Sequence, residues 1–260
     1  MPVEELRRRL APRVSELSVT LRRALREDPR AGVRELARRF ERERRRAAAE
    51  AWRLRELHDT ERTLRLAGVA PVAGLDEVGV GPLAGPVVAA CVRLPGRLRL
   101  RGLRDSKQLS AEARERLAAR LAEVALDLAI GHATRAEIDR LNILQATRLA
   151  MRRALVALRR APALVLIDGR AVPDLDLPQR AIPRGDERVA CIAAASIIAK
   201  VHRDRLMRAL HPRYPRYGFA RNMGYGTPEH LAALRRWGPC PAHRRSFAPV
   251  AQALRAAQRS

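Results

Sequence analysis

Apolar residues in the first 66 positions recur at helical spacing. They fall three or four residues apart from Leu6 to Leu25, and a second series of this kind begins after Asp28 and Pro29. Such a period places the apolar side chains on one face of a helix, and the Asp-Pro pair interrupts it. The pattern therefore predicts an N-terminal helical hairpin over residues 1–66, followed by a linker at residues 68–71.

From residue 71 onward, short apolar runs alternate with helical stretches. Buried strands are predicted over residues 72–76, 87–94, 124–133 and 163–168. Helices are predicted over residues 110–123, with a serine cap, and over residues 142–159 and 186–210. This alternation is typical of an α/β domain, which we assign to residues 67–210, leaving residues 211–260 as a C-terminal subdomain.

Carboxylates lie where two of the predicted strands end. Asp76 and Glu77 close the first strand, before a turn rich in glycine and proline, and Asp168 closes the last, before Gly169. Acids at buried strand ends need either a basic partner, which would make them structural, or a divalent cation. Because strand ends in open α/β sheets converge on one edge, we expect these three side chains to meet there.

Asp186 is a fourth candidate, at the predicted start of a helix in the sequence RGDERVA. Asp is a favoured helix cap, so this position fits a structural role as well as a catalytic one. Three or four convergent carboxylates without a nearby histidine favour Mg²⁺ or Mn²⁺, because hard ions prefer oxygen ligands.

The formal net charge is +24, and the basic residues are spread along the chain. A positive field over a whole molecule favours a polyanionic partner such as a nucleic acid. Arginine supplies nearly all of these residues, so genomic composition is the competing explanation. Lys107 and Lys200 are the only lysines. A compact ammonium is a reason to retain them, although Lys200 also stands one helical turn before Asp204, with which it can form a surface pair.

Most aromatic residues, including all three tyrosines, lie between residues 212 and 247 among arginines. This mixture is typical of surfaces that stack on bases or sugars and hold phosphates, and a small satellite core is the alternative. We interpret Trp237 and Phe247 as part of such a core. Tyr225 stands between two glycines in NMGYGT, in a loop that can approach a nucleic-acid backbone closely.

Other sequence features concern the compartment. The three cysteines are far apart and form no CxxC pair, which fits reduced thiols and argues against a zinc site. The chain has no run of 18 apolar residues and no secretory signal pattern at its start. We expect a cytoplasmic protein.

Taken together, the motifs resemble those of bacterial ribonuclease HII. They are GLDEVGVGPLAGPVVAA at residues 74–90, DSKQLS at 105–110, EIDRLNILQAT at 137–147, LIDG at 166–169, and then GDERVACIAAASIIAKVHRD, YGFARNMGYGT and HRRSFAPV. The resemblance covers about residues 72–252 with the motifs in the family's order. The helical first 66 residues are similar to the extension of the longer members.

This resemblance implies a ribonuclease H-like mixed five-stranded sheet flanked by helices, with a C-terminal helical subdomain. It implies endonucleolytic cleavage of RNA in RNA–DNA hybrids, and 5′ of single ribonucleotides in duplex DNA, with two ions of Mn²⁺ or Mg²⁺ and 3′-hydroxyl and 5′-phosphate ends. We expect a monomer, and no sequence feature identifies a replication-clamp partner. The alternatives are a ribonuclease HIII-like hybrid nuclease and a non-enzymatic basic nucleic-acid-binding protein.

The resemblance also assigns roles to individual residues. The family's four metal-site carboxylates match Asp76, Glu77, Asp168 and Asp186. Its junction-sensing glycine loop matches Gly79 and Gly81, and its tyrosine beside the ribonucleotide matches Tyr225. Lys107 and Lys200, both within family motifs, are candidate substrate contacts.

Val80 departs from the family pattern, in which most members carry arginine between the two glycines. An apolar side chain cannot form a charge-assisted contact with phosphate. The main-chain amides from Gly79 to Gly81 do not depend on that side chain. We therefore expect these amides and Tyr225 to recognise the ribonucleotide.

Overall fold

The computed structural model describes residues 1–96, 98–173 and 175–258, and the chain divides into two compact units, residues 1–56 and 57–260. The first unit contains α1 (Val3–Leu10), α2 (Val19–Glu27) and most of α3 (Ala31–Leu57). Its helices enclose a small core. The buried residues of that core are Val14, Leu25, Val33, Leu36, Ala37 and Phe40.

The first helix of the predicted hairpin is not continuous in the structure. Helix α1 ends at Leu10, and a 3₁₀ helix over Ala11–Glu16 follows, with Pro12 in its first turn. Proline has no N–H to donate to the preceding turn, so the α-helix cannot continue through it. Helix α2 then starts anew, with the Ser18 hydroxyl accepting a hydrogen bond from Leu21 N at 3.1 Å.

The second unit begins with the end of α3 and α4 (Asp59–Leu66), followed by a five-stranded mixed sheet. Its strands are β1 (Val72–Val78), β2 (Val87–Arg93), β3 (Asp127–Ala133), β4 (Leu164–Asp168) and β5 (Gln179–Ile182). The order across the sheet is β3-β2-β1-β4-β5. Strand β1 is antiparallel to β2 and parallel to β4, so it lies at the centre, where the strand direction changes. The predicted α/β class with a mixed sheet is confirmed.

The second unit contains further helices between and after its strands. They are α5 (Ala111–Val124), α6 (Arg135–Leu141), α7 (Ile143–Val156), α8 (Gly185–Arg188), α9 (Ala190–Leu210), α10 (Phe219–Asn222), α11 (Pro228–Trp237) and α12 (Ala248–Ala257). Ala73 and Leu75 of β1 share a core with Ala150 of α7. The intervening Gly74 faces α9, where an added Cβ would stand 2.2 Å from the Cys191 carbonyl carbon. Successive strand residues point to opposite faces, so α7 and α9 sandwich the sheet.

Several predicted boundaries are wrong. The helix predicted over residues 186–210 is interrupted at Val189, whose φ of −134° is extended, and this break separates α8 from α9. The strand predicted from residue 124 begins at Asp127, because Val124 still belongs to α5.

Two of the cysteines, Cys91 and Cys191, are free thiols buried in the protein interior. None of the helices that the structure describes is long and apolar enough to span a bilayer.

Candidate active site

Two carboxylates lie side by side on neighbouring central strands of the sheet. Strands β1 and β4 are parallel, and their register pairs Leu75 with Ile167. The next residue of each strand is Asp76 and Asp168, which therefore lie next to each other in the sheet. Asp168 ends β4 as predicted, whereas β1 continues through Glu77 to Val78, so the prediction that this strand ends at residue 76 was wrong.

Asp76 is buried, with 5% of its surface exposed. Burial raises the pKa of Asp76 well above its usual value, and the negative charges of Glu77 and Asp168 raise it further. Hydrogen bonds from Ser196 and from Glu77 N, the latter at 2.8 Å, act in the opposite direction. The pKa of Glu77 is also raised, first by burial and then by Asp168. These acids therefore stand close enough to repel one another.

A hydrogen bond connects Asp168, at the end of β4, to the short helix α8, which carries Asp186. The Asp168 carboxylate accepts a hydrogen bond from Gly185 N at 2.6 Å. Asp186 follows Gly185 in the first turn of α8 and is buried, so it is not the helix cap that its position suggested. Burial raises the pKa of Asp186, and Asp168 raises it further, while Lys107 acts against both. The four predicted carboxylates thus share one electrostatic environment.

Lys107 brings positive charge to this group. Its ammonium lies 3.4 Å from Asp186 Oδ2, although most of the Lys107 side chain is exposed. Partial burial acts to lower the pKa of Lys107, but Asp186 and then Asp105 outweigh it, and the pKa is raised. The backbone of Lys107 is fixed by Asp105, which accepts a hydrogen bond from Lys107 N at 2.9 Å.

A divalent cation suits these residues chemically. The carboxylates supply oxygen donors, which hard ions prefer, and their mutual repulsion is what a cation relieves. As the side chains stand, no group of three His, Cys, Asp or Glu residues in the described part of the chain closes around a common point for an ion. The repulsion between Asp76, Glu77 and Asp168 is a physical reason for such an open arrangement.

Ser196 of α9 connects the site to a neighbouring loop. Its hydroxyl lies 2.9 Å from that of Ser106, which begins the 3₁₀ helix Ser106–Gln108 in the DSKQLS motif. The same hydroxyl hydrogen bonds to Asp76. Helix α9 therefore holds together the loop that carries Lys107 and the strand that carries Asp76.

Lys200 lies on α9, one turn beyond Ser196. Its ammonium donates to Asp204 Oδ1 at 2.8 Å, and both side chains are largely buried. This is the helical pair that the sequence offered as the competing explanation for Lys200. Its predicted contact with substrate stays a prediction.

The glycine loop and Tyr225 come together in the structure. Gly79 has a φ of +91°, and a Cβ there would stand 2.2 Å from Arg203 Nε, so both conformation and space require glycine. Val80 is 39% exposed. A Cβ on Gly81 would lie 3.9 Å from Tyr225 Cε1, and the Tyr225 side chain is itself 41% exposed. Tyr225 therefore borders the loop with its ring open to solvent.

Two buried histidines support the Tyr225 loop. His230 Nδ1 lies 2.8 Å from Tyr225 O, His230 Nε2 lies 3.0 Å from His243 Nε2, and Cys240 N donates to His243 Nδ1 at 3.0 Å. A carbonyl only accepts and an amide only donates, so both rings fit as neutral tautomers with His243 Nε2 donating to His230. Burial lowers the pKa of His230, and burial together with His230 lowers the pKa of His243 to about 4.

The aromatic cluster divides differently from our interpretation. Tyr217 and Phe219 form the buried satellite core, with ring centroids 5.7 Å apart. Trp237 is 46% exposed and lies between the guanidinium groups of Arg216 and Arg236, at 4.4 and 4.6 Å. Placing Trp237 in the core was therefore wrong, because cation–π contacts hold the indole at the surface. Phe247 is partly buried and packs against core residues, as expected.

The comparison with known protein families decides the assignment. A family model described as ribonuclease HII matches residues 73–250, and one described as ribonuclease HII N-terminal domain matches residues 2–65. The chain belongs to the ribonuclease HII family. The first match contains all four carboxylates, the glycine loop and Tyr225. The second covers nearly all of the predicted helical extension.

Individual relatives agree with this assignment. Ribonuclease HII of Geobacillus kaustophilus is 53% identical over 90% of each chain. The crystal structure of ribonuclease H2 from Pyrococcus horikoshii is 28% identical, covers 73% of this chain and 99% of its own, and has a TM-score of 0.61. The Mn²⁺ complex of Bst-RNase HIII, 23% identical with a TM-score of 0.57, covers 73% of this chain and 70% of its own and shows the same ribonuclease H-like fold.

Some residues around the site were missed in the sequence. Ser196 lies in a stretch of small residues in α9, a pattern that indicates close helix–sheet packing and does not single out a residue beside the carboxylates. Arg203 and Arg244 are fully buried beside the glycine loop. Arg203 lies among charged residues in the segment KVHRDR of α9, and its only signal was the helical spacing of four residues from the apolar Ala199 and Met207. Nothing in the local pattern distinguished Arg244 from Arg245.

Proposed function

We propose that this ribonuclease HII family member hydrolyses the RNA strand of RNA–DNA hybrids and cuts 5′ of single ribonucleotides embedded in duplex DNA. The observation that carries the proposal is the pair Asp76 and Asp168 on adjacent parallel strands, close enough to Glu77 and Asp186 for their charges to interact. The net charge of +24 suits a nucleic-acid duplex. The proposed role of the protein is removal of ribonucleotides from DNA. We propose that it acts in the cytoplasm as a monomer.

The cofactor is a divalent metal ion, and we propose Mn²⁺ or Mg²⁺. Asp76, Glu77 and Asp168 would hold it, with Asp186 completing the catalytic set. Divalent ions supply activation of a water molecule and stabilisation of the leaving 3′ oxygen when bound to such carboxylates. The expected products carry 3′-hydroxyl and 5′-phosphate ends.

The chain's other residues position the substrate. Gly79, Val80 and Gly81 offer main-chain groups at an exposed loop, and the Tyr225 ring beside them offers an apolar face for the ribose. Lys107 lies at the edge of the carboxylates with its ammonium accessible to a phosphate oxygen. Lys200 is proposed as a further substrate contact, although Asp204 already accepts from its ammonium.

The alternatives are less well supported. A ribonuclease HIII-like preference for longer hybrids draws on likeness to a solved ribonuclease HIII, and at 23% identity that likeness extends to the fold alone. Both family models that match are those of ribonuclease HII. In a non-enzymatic binder, the mutual repulsion of the buried acids would oppose folding without serving to bind a cation.

The test is cleavage of a DNA duplex carrying one ribonucleotide, in parallel with a uniform RNA–DNA hybrid and an all-DNA duplex. We expect cleavage of the first two with Mg²⁺ or Mn²⁺ and none with EDTA. Cleavage of the hybrid alone would favour the ribonuclease HIII-like alternative. Binding without any cleavage, unaffected by EDTA, would favour the non-enzymatic one.

A further inference from the structure

Arg203 on α9 and Arg244 in the segment before α12 are fully buried, with 0% of their surface exposed. Neither forms an ion pair with a carboxylate of the described residues. A buried guanidinium without an anion is costly unless all its donors are hydrogen bonded. Burial lowers the pKa of both side chains, and the charge of Arg203 contributes to lowering that of Arg244 to about 9. These two residues, the arginine pair, therefore need compensation from elsewhere.

The compensation comes from main-chain carbonyls of the glycine loop and its surroundings. Arg244 donates from Nε to Gly85 O at 2.9 Å, from Nη1 to Val80 O at 3.0 Å, and from Nη2 to Gly79 O at 2.6 Å. Arg203 donates to Pro86 O at 3.0 Å, Ala84 O at 3.1 Å and Met223 O at 2.9 Å. Through its bond to Met223 O, Arg203 connects the surroundings of the loop to the segment that carries Tyr225.

Peptide geometry then fixes where the loop's amides point. In a trans peptide, the carbonyl oxygen and the following N–H lie on opposite sides of the bond. Since Gly79 O and Val80 O are both directed at Arg244, the N–H groups of Val80 and Gly81 are directed away from it. Neither amide donates a hydrogen bond to another described residue. Both residues are exposed at the protein surface, and Tyr225 stands beside Gly81.

We propose that the arginine pair is a positioning device that presents the Val80 and Gly81 amides to an oxygen of the substrate's ribose–phosphate backbone. This inference rests on the proposed function, in which the glycine loop contacts substrate. The arginine pair also places positive charge directly behind the loop. It thereby supplies from the interior part of what an arginine side chain at position 80 would supply from the surface.

The first test is Arg244→Lys, which keeps a cation but cannot reach three carbonyls with one compact ammonium. On a DNA duplex with one ribonucleotide, we expect KM to rise by about tenfold or more, because each lost amide contact weakens binding by roughly that factor, while kcat changes much less. Leu155→Ala, in the core on the α7 face, is the control for lost stability. Arg244→Lys with the KM of the natural protein would overturn the proposal.

A second measurement covers the case in which Arg244→Lys does not fold. In the natural protein, ¹H–¹⁵N spectra are recorded with the same duplex in EDTA, which permits binding without turnover. We expect the Val80 and Gly81 amide signals to move downfield on binding, whereas unchanged signals in a saturated complex would overturn the proposal. Failure of the proposed function is distinguishable, because the natural protein would then not cleave that duplex with Mg²⁺ or Mn²⁺.

Discussion

At the scale of single residues, Val80 is the clearest test of how the loop recognises its substrate. Its side chain is exposed and apolar, while the carbonyls on both sides of its amide are held by Arg244. We therefore expect recognition through the main chain to need no basic residue at this position. An added guanidinium would have access to a phosphate without disturbing the core.

We predict that Val80→Arg tightens binding to a duplex with one ribonucleotide by about 1 kcal/mol, without moving the cleavage position. Binding is measured in EDTA and cleavage with Mg²⁺. Val80→Gln is the uncharged control of similar reach. If the natural protein cuts only runs of several ribonucleotides and Val80→Arg restores cutting at single ones, recognition through the main chain is wrong.

The two lysines provide a second test at this scale. Lys107 lies 3.4 Å from Asp186, whereas Lys200 is engaged with Asp204 away from the carboxylates. A planar guanidinium is wider than an ammonium and does not replace it beside a crowded carboxylate. We predict that Lys107→Arg lowers kcat/KM by about tenfold, roughly 1.4 kcal/mol, with little loss of stability. Lys200→Arg is the matched variant, and unchanged rates in both would leave genomic composition as the better explanation.

At the scale of elements, α9 organises the site. It packs on β1 through Gly74 and carries Ser196 against Asp76. Near its start, Cys191 N donates to Glu61 of α4 at 2.9 Å. The negative charge of Glu61 also suits the N-terminal end of a helix dipole.

We predict that Glu61→Ala lowers the free energy of unfolding by about 1 to 3 kcal/mol, because it leaves a buried N–H without an acceptor. Glu61→Gln retains an acceptor oxygen and should lose less. Urea denaturation of both variants measures the difference. Equal stability of Glu61→Ala and the natural protein would show that this bond does not fasten α4 to α9.

The long apolar strands and the proximity of Asp76 and Asp168 could be predicted, because burial on both faces leaves a clear apolar signal. Strand β5 could not be predicted, since half of its sequence QRAI is polar and its position comes from pairing with β4. Helix α6 was missed although Thr134 and Glu137 form a capping box, a signal present in the sequence. The arginine pair depends on contacts more than 100 residues apart, for which local patterns contain no signal.

At the scale of the whole molecule, stability is expected to depend on pH through the buried histidine pair. The pKa of His243 is lowered to about 4, whereas an unfolded histidine titrates near 6.5. Between these values the unfolded chain binds more protons, so stability falls as pH falls through this window. We predict that this titration alone removes about 2 kcal/mol of stability between pH 7 and pH 5. The raised pKa values of Asp76, Glu77 and Asp186 act in the opposite direction, so the effect is measured as the difference from a variant without the His243 ring.

Urea denaturation at the two pH values tests this prediction. His243→Asn removes the titrating ring and retains an acceptor for Cys240 N, so relative to this variant the natural protein should lose about 2 kcal/mol over the same range. An equal pH dependence of the two proteins would contradict the neutral, hydrogen-bonded arrangement of His230 and His243.

The most direct test of the active site uses Asp76→Asn and Asp168→Asn, compared with Asp127→Asn. Asp127 is as buried as Asp76 but pairs with Arg93 and Arg159 at the start of β3. Cleavage and binding of a DNA duplex with one ribonucleotide are measured for each folded variant. We predict that the first two lose nearly all turnover with Mg²⁺ or Mn²⁺ and bind the duplex as well as the natural protein or better, since a negative charge is removed. We expect Asp127→Asn to retain turnover. Near-normal cleavage by Asp76→Asn or Asp168→Asn would contradict the assignment of these carboxylates to the catalytic centre.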